Sequence, residues 1–229
     1  MKLGIIVAME EEMKTLIDSL ESYESYELAN QKFYDGLIEG KELAIVQSGI
    51  GKVNASIATT LLINNFDADS IINTGSAGAI KEGINIGDLV LSTKLSYHDA
   101  DNRAFGYRFG QIPQMPEIYE GDEALIHKVS LAAENLNWQI HKGLIVTGDS
   151  FVSSDKKIKD IKNHFPEALV TEMEGGAVAQ TCYQYNIPSL VIRSVSDTAD
   201  GKATVDFDEF VVLAGKRSAE LVLALIKNI

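Results

Sequence analysis

The sequence predicts an α/β protein of one domain, built around a largely buried central sheet. Strand-like apolar runs alternate with helix-spaced ones along nearly the whole chain, the pattern that lays helices on a sheet. With 229 residues and 45% hydrophobic content the chain can bury a full core unsplit, and no repeat, low-complexity tract or linker divides it. A third observation bears on chemistry. Three apolar runs end in carboxylates: 4–9 leads into Glu10-Glu11-Glu12, 168–173 ends at Glu174, and 190–196 ends at Asp197. Ligands of open α/β sheets sit beyond the carboxyl ends of the strands, so acidic groups on that rim point to acid/base work on a small molecule, not to anion binding.

Taken in order, 4–9 reads as the first strand, and Met13, Leu16, Ile17 and Leu20 after it share one helix face. A polar segment leads to 33–38 and 43–46, a hairpin crossing Glu39-Gly40-Lys41. Ser48-Gly49-Ile50-Gly51 turns into a helix whose Val53, Ile57, Ala58, Leu61 and Leu62 lie on a common face. Residues 70–73 form a strand closed by Thr74-Gly75-Ser76-Ala77-Gly78, and 86–96 form a long one. The stretch 97–116 is aromatic, polar and unperiodic. Loops of that length in compact domains serve function or contact a neighbour. Asp122 caps a helix carrying Leu125, Ile126, Val129, Ala133 and Leu136, and 143–147 is a strand followed by Gly148-Asp149-Ser150-Phe151. Cys182, among Ala177, Val178, Ala179 and Tyr183, reads as a small buried hydrophobe on a helix face. The last helix opens with Asp206 and Glu209 in capping-box spacing and carries Phe210, Ala214, Leu221 and Leu225.

Composition excludes several classes of partner. A formal net charge of −13, with no Lys/Arg cluster that resembles a phosphate-tracking stripe, argues against nucleic acid and anionic membrane surfaces. No apolar run approaches the roughly 20 residues that span a bilayer. The apolar start leads straight into three glutamates without a cleavage site, unlike a signal peptide. A single cysteine fits a reducing cytoplasm.

Several short patterns fail on inspection. Gly49-Ile50-Gly51-Lys52 is no Walker loop, because Val46 stands where the first glycine belongs and Val53 replaces the Ser/Thr. Thr74 before Gly75-Ser76-Ala77-Gly78 rules out a nucleophile elbow. Ala8-Met9-Glu10 stands where a dinucleotide fold would place glycines. Gly148-Asp149-Ser150 matches a block of certain esterases, but the last histidine, His164, lies in a polar helix. His98-Asp99-Ala100-Asp101 lacks a second His at ligand spacing and reads as solvated or hydrogen-bonded loop; no metal and no cofactor is expected. His127, His141 and His164 read as surface. Glu10 and Glu11 are explained as helix N-terminal charges. Glu172 and Glu174 alternate around Met173, so both would project to one face of an extended strand end. A carboxylate pair inside an apolar run is costly unless used or paired, and Asp197 has similar surroundings.

Six separated motifs, in order from residue 3 to about 226, resemble one family. They are Gly4-Ile5-Ile6 with Ala8-Met9-Glu10-Glu11-Glu12, Ser48-Gly49-Ile50-Gly51-Lys52-Val53, Asn73-Thr74-Gly75-Ser76-Ala77-Gly78, Tyr97-His98-Asp99-Ala100-Asp101 with Phe105-Gly106-Tyr107, Glu172-Met173-Glu174, and Ser196-Asp197. The chain is similar to the 5′-methylthioadenosine/S-adenosylhomocysteine nucleosidases, a bacterial branch of the purine nucleoside phosphorylase superfamily. The resemblance implies a three-layer sandwich, with helices flanking a central mixed, twisted sheet. It also implies hydrolysis of the bond between adenine and a 5′-thio-substituted ribose, in methionine salvage. By the same resemblance Asp197, oriented by Ser196, protonates the leaving adenine; Glu12 activates the attacking water; Glu174 grips the ribose hydroxyls. Phe151 and the backbone of Val152 receive adenine, Met9, Met173 and Phe207 enclose ribose and base, and Ser76 and Gly78 line the water and sugar. Ile50 walls the alkylthio pocket and Arg193 supports the site from within. Phe105 and Pro113 would reach the neighbour's pocket in a homodimer. Gly175-Gly176 replaces a bulkier pair and should loosen the helix start, and Asn102 replaces an apolar loop residue. The alternatives on the same scaffold are a phosphate-dependent phosphorylase, which would surround its anion with arginines, and a non-catalytic nucleoside sensor.

Overall fold

The structure is a computed structural model that describes residues 2–199 and 203–228. Strands β1 (Leu3–Val7), β2 (Ser22–Leu28), β3 (Gln31–Ile38), β4 (Lys41–Gln47), β5 (Ser70–Ala79), β6 (Leu89–Tyr97), β7 (Tyr119–Glu120), β8 (Ile140–Thr147), β9 (Ala168–Glu172) and β10 (Ser189–Asp197) join in one mixed sheet. Helices α1 (Glu10–Ile17), α2 (Lys52–Asn65), α3 (Glu123–Asn135), α4 (Asp155–His164), α5 (Gly175–Tyr185) and α6 (Ala203–Lys227) flank it. This is the α/β class expected, and it has a further feature. The path β10-β6-β8-β9-β5 closes on itself through a parallel β5–β10 ladder, while β1, β4, β3 and β2 continue outward from β5. The ring gathers the ends of β5, β8, β9 and β10 around one opening.

Burial on both faces dictates the continuous apolar strands. Neighbours Ile5 and Ile6 on β1 are fully buried on opposite sides. Ile5 packs with Leu16, Val129, Leu221 and Leu225 under α1, α3 and α6; Ile6 packs with Ala58, Leu62, Val178 and Cys182 under α2 and α5. Cys182 is therefore a core residue, as read. No helix among the described residues is long and apolar enough to cross a membrane.

Four expectations need correction. The polar segment before the hairpin contains β2, exposed along nearly its whole length and held by pairing from Ser22 to Leu28 with β3. The glycine motif 74–78 does not close β5 but lies within it, against β10. The face of α2 is rotated: Ala55, Ala58, Thr59 and Leu62 are buried, while Val53 is 70% and Ile57 36% exposed. Helix α6 is already under way at Ala203, so Asp206 sits inside its first turn instead of capping it.

Candidate active site

A cavity of about 380 Å³ opens at the gathered strand ends. Its lining contains Met9, Glu12, Ile50, Ser76, Gly78, Phe151, Val152, Met173, Glu174, Ser196, Asp197 and Phe207, twelve of the residues singled out from the sequence.

Glu12 is the third residue of α1, and its carboxylate folds back to the helix start. Oε2 accepts from the amides of Ala8 (3.1 Å) and Met9 (3.2 Å), and Oε1 from the Ser76 amide (2.9 Å) and hydroxyl (3.1 Å). A Glu at the third helical residue reaching the N-cap amide is half a capping box, which explains its orientation. Glycine is required opposite: a Cβ on Gly75 would stand 2.7 Å from Glu12 Oε1. Burial raises the Glu12 pKa, against the opposing pull of Arg193 and of the three amides. Glu10 and Glu11 beside it are exposed, as read.

Asp197 ends β10 and is 2% exposed. The β5–β10 register slips between Val195 and Asp197, a bulge that turns the carboxylate inward beside Gly78. Ser196 Oγ donates to Oδ2 (2.9 Å) and the Ala199 amide to Oδ1 (2.8 Å). A Cβ on Gly78 would lie 2.8 Å from Oδ1.

Glu172 and Glu174 do not share a strand face. β9 ends at Glu172, and Glu174 is the N-cap residue of α5. Glu172 accepts from the amides of Glu174 (3.0 Å) and Gly175 (2.6 Å), from the Thr147 hydroxyl, and from Arg193 Nη2 (2.5 Å). Glu174 receives one amide, Gly51 N at 2.8 Å, with Arg193 farther off at 3.6 Å. Burial and the Glu172 charge push the Glu174 pKa up to about 8, with Arg193 and the Gly51 amide opposing. Gly175-Gly176 does not loosen the helix start. A Cβ on Gly176 would meet Thr147 Oγ1 and Tyr97 Cε1, each at 2.9 Å, and the Gly176 amide is tied to Thr147 Oγ1 (2.7 Å).

Arg193 lies behind the cavity, fully buried, donating also to Asn73 Oδ1 (2.6 Å). Burial works against its charge, yet the charges of Glu172, Glu174 and Glu12 outweigh that and raise its pKa. Phe151 is 44% exposed and packs edge-on against Phe207, ring centres 5.4 Å apart, across the mouth. Phe105 and Pro113 lie outside the cavity of their own chain, exposed on the 97–116 loop.

His98 corrects another expectation. It is not a solvated loop residue but 2% exposed, its ring packed on Gly148 and neither nitrogen partnered among the described residues. Burial lowers its pKa. Asp99 holds Lys52 Nζ (2.8 Å) and the Asp149 amide (2.9 Å), joining α2 to the loop that carries Phe151 and Val152. Sequence reasoning gave no role to Thr147, Asp99 or Asp149, and none to Glu172 beyond sharing a face with Glu174; Thr147 and Glu172 are cross-strand partners, a signal visible once β8 and β9 are paired in register.

Carboxylates from α1, the start of α5 and β10 around an open cavity on a mixed sheet define a small-molecule enzyme working by acid/base chemistry. The family model for the phosphorylase superfamily matches residues 2–227. A 5′-methylthioadenosine/S-adenosylhomocysteine nucleosidase of an Exiguobacterium species is 48% identical over 230 residues, covering 100% of this chain and 99% of that protein. Among solved structures, the nucleosidase of S. pneumoniae with the transition-state inhibitor MT-ImmA superposes with a TM-score of 0.96 at 45% identity, covering 100% of this chain and 99% of that one. The Neisseria meningitidis nucleosidase in complex with methylthio-immucillin-A gives 0.98 at 42% identity, covering 100% and 99%. The chain belongs to the phosphorylase superfamily and, within it, to the 5′-methylthioadenosine/S-adenosylhomocysteine nucleosidases.

Proposed function

We propose that this chain hydrolyses the N-glycosidic bond of 5′-methylthioadenosine and S-adenosylhomocysteine, and also of 5′-deoxyadenosine, releasing adenine and the 5-substituted ribose. One observation carries hydrolysis over phosphorolysis: the cavity lining contains Glu12, Glu172, Glu174 and Asp197, and no Lys or Arg among the described residues. The one guanidinium nearby is engaged by Glu172 and Asn73. A phosphate dianion would enter a field of its own sign, whereas neutral water would not.

Bond cleavage leaves an electron-rich purine and a ribosyl cation. Asp197 is the general acid toward adenine N7, oriented by Ser196 and Ala199. Glu12 takes the proton of the attacking water; its raised pKa suits a group that must accept one. Glu174 binds the ribose hydroxyls, and its ionised form favours the developing cation. Phe151 stacks on the base, Phe207, packed edge-on against it, serves as the lid, Val152 contributes backbone, and Met9, Met173, Ser76, Gly78 and Ile50 form the remaining walls. The working unit is a homodimer in which Phe105 and Pro113 complete the partner's pocket, and the lone, buried, unpaired Cys182 accords with a cytoplasmic setting.

The test is a panel of 5′-substituted adenosines assayed for free adenine in phosphate-free buffer. Release without phosphate is expected; strict phosphate dependence overturns the reading. Asp197→Asn should still bind substrate analogues while losing about 10²–10⁴ in turnover. Normal hydrolysis by that variant would remove Asp197 from the acid role.

A further inference from the structure

We infer that Glu172 is a positioning residue: by holding Arg193 and the start of α5, it keeps the guanidinium off Glu174 and leaves that carboxylate open to the ligand. The inference rests on the nucleosidase reading for the identity of the ligand.

An ionised carboxylate offers about four acceptor positions. Glu172 fills four, with the Thr147 hydroxyl, the amides of Glu174 and Gly175, and Arg193 Nη2. It reaches the cavity wall with no acceptor capacity left for a ligand. Glu174 fills one, from Gly51. A single cation therefore stands between two carboxylates, 2.5 Å from one and 3.6 Å from the other.

The contest is settled by anchoring. Glu172 is fixed by three donors besides the guanidinium, and its strand end is in register with Thr147. Asn73 Oδ1 takes the other hydrogen of the same Nη2 at 2.6 Å, and its own side-chain amide is fixed by the Ile6 carbonyl (3.1 Å). Arg193 thus neutralises the carboxylate that does no chemistry. The oxygens of Glu174 remain directed at the cavity, where the group, once ionised, meets the developing ribosyl cation.

The charged groups facing Glu174 are Glu172 from β9, Arg193 from β10 and Glu12 from α1. Glu172→Gln retains a carbonyl oxygen for the amides but removes the charge that competes for Arg193. The guanidinium should then close on Glu174, and KM for 5′-methylthioadenosine should rise about tenfold or more, the worth of one charge-assisted hydrogen bond. The acidic limb of the kcat/KM profile should also move to lower pH, because Glu174 loses a negative neighbour and gains a closer cation. Thr147→Val, which removes the hydroxyl from Glu172, should shift KM and the limb in the same directions, and Thr147→Ser should recover most of both. Measurements are kcat, KM, pH profile and melting temperature for each variant against wild type. Wild-type adenine release tests the nucleosidase reading itself, so its failure is separate from failure here. Glu172→Gln with an unmoved KM and limb, or with a lowered melting temperature as its sole change, overturns the positioning role. Should Glu172→Gln not fold, identical KM and limb for Thr147→Val and Thr147→Ser overturns it equally.

Discussion

At the scale of single residues, the site is held in a conformation that costs the fold. Glu174 has its pKa raised by burial and by Glu172 from 4.5 to about 8. The folded state binds that proton more tightly than the unfolded chain, so the group's contribution to stability is greatest below about 4.5 and declines as pH rises toward about 8. Glu174→Gln keeps an acceptor for the Gly51 amide and carries no charge to desolvate. It should melt above wild type at pH 8.5, on a scale of about 2–4 °C for each kcal/mol gained. The difference should vanish near pH 4, while nucleoside turnover falls at every pH. A melting curve below wild type at pH 8.5 would show that the ionised Glu174 stabilises the fold. Gly75 poses the opposite case: Gly75→Ala puts a methyl 2.7 Å from Glu12 Oε1 inside a strand, so kcat should drop by about tenfold or more as the carboxylate proposed to activate water is displaced. Residue identity was legible in the sequence at this scale because strand-end carboxylates stand out from apolar runs. What pattern did not reveal was which of Glu172 and Glu174 is satisfied. That depends on Thr147 and Arg193, 25 and 21 residues from Glu172 along the chain. His98 was misjudged for a similar reason: its polar neighbours Asp99 and Asp101 face outward to Lys52 and Arg103, while its own ring turns under Gly148.

At the scale of elements, buried strands with apolar runs were readable and those defined by pairing were not. β2 is Ser-Tyr-Glu-Ser-Tyr-Glu-Leu, an edge strand with no buried face to impose alternation, so its existence depends on β3. β5 looked finished at Asn73 because glycines weaken strands. Here the glycines are tolerated since β10 pairs along the stretch and Glu12 and Asp197 need the room. The same logic governs the start of α5. Its glycines allow backbone to approach Thr147 and Tyr97, and the amides freed at the helix start go to Glu172 and Thr147. Gly176→Ala should therefore destabilise the protein by about 1–3 kcal/mol by overpacking, in spite of alanine's better helix propensity. Denaturant unfolding will decide, and a stabilised variant would mean that Thr147 and Tyr97 yield easily.

At the scale of the whole molecule, exposed apolar groups set the last prediction. Ile50, Val53 and Ile57 follow one another at helical spacing into and along α2, with exposures of 50%, 70% and 36%. Ile50 also lines the cavity, so this stripe runs from the pocket mouth across the surface. Phe105, on the 97–116 loop, is 80% exposed. A chain of net charge −13 repels its own copies, so an apolar face must supply the attraction if two associate. That balance has a consequence opposite to the usual one for charged interfaces: added salt should strengthen the dimer by screening the repulsion. Sedimentation should give a particle of two chains, and Val53→Glu with Ile57→Glu, both outside the cavity lining, should dissociate it. Because the pocket mouth continues into the stripe, the separated chains should lose affinity for the 5′ substituent more than they lose stability. Phe105→Ala should raise KM for methylthio and homocysteinyl nucleosides more than for the unsubstituted 5′-deoxy one, since a partner's ring would meet the substituent before the base. A doubly substituted chain that remains a dimer would remove the α2 stripe from the interface. A monomer with undiminished kcat/KM would show that each pocket is complete within its own chain.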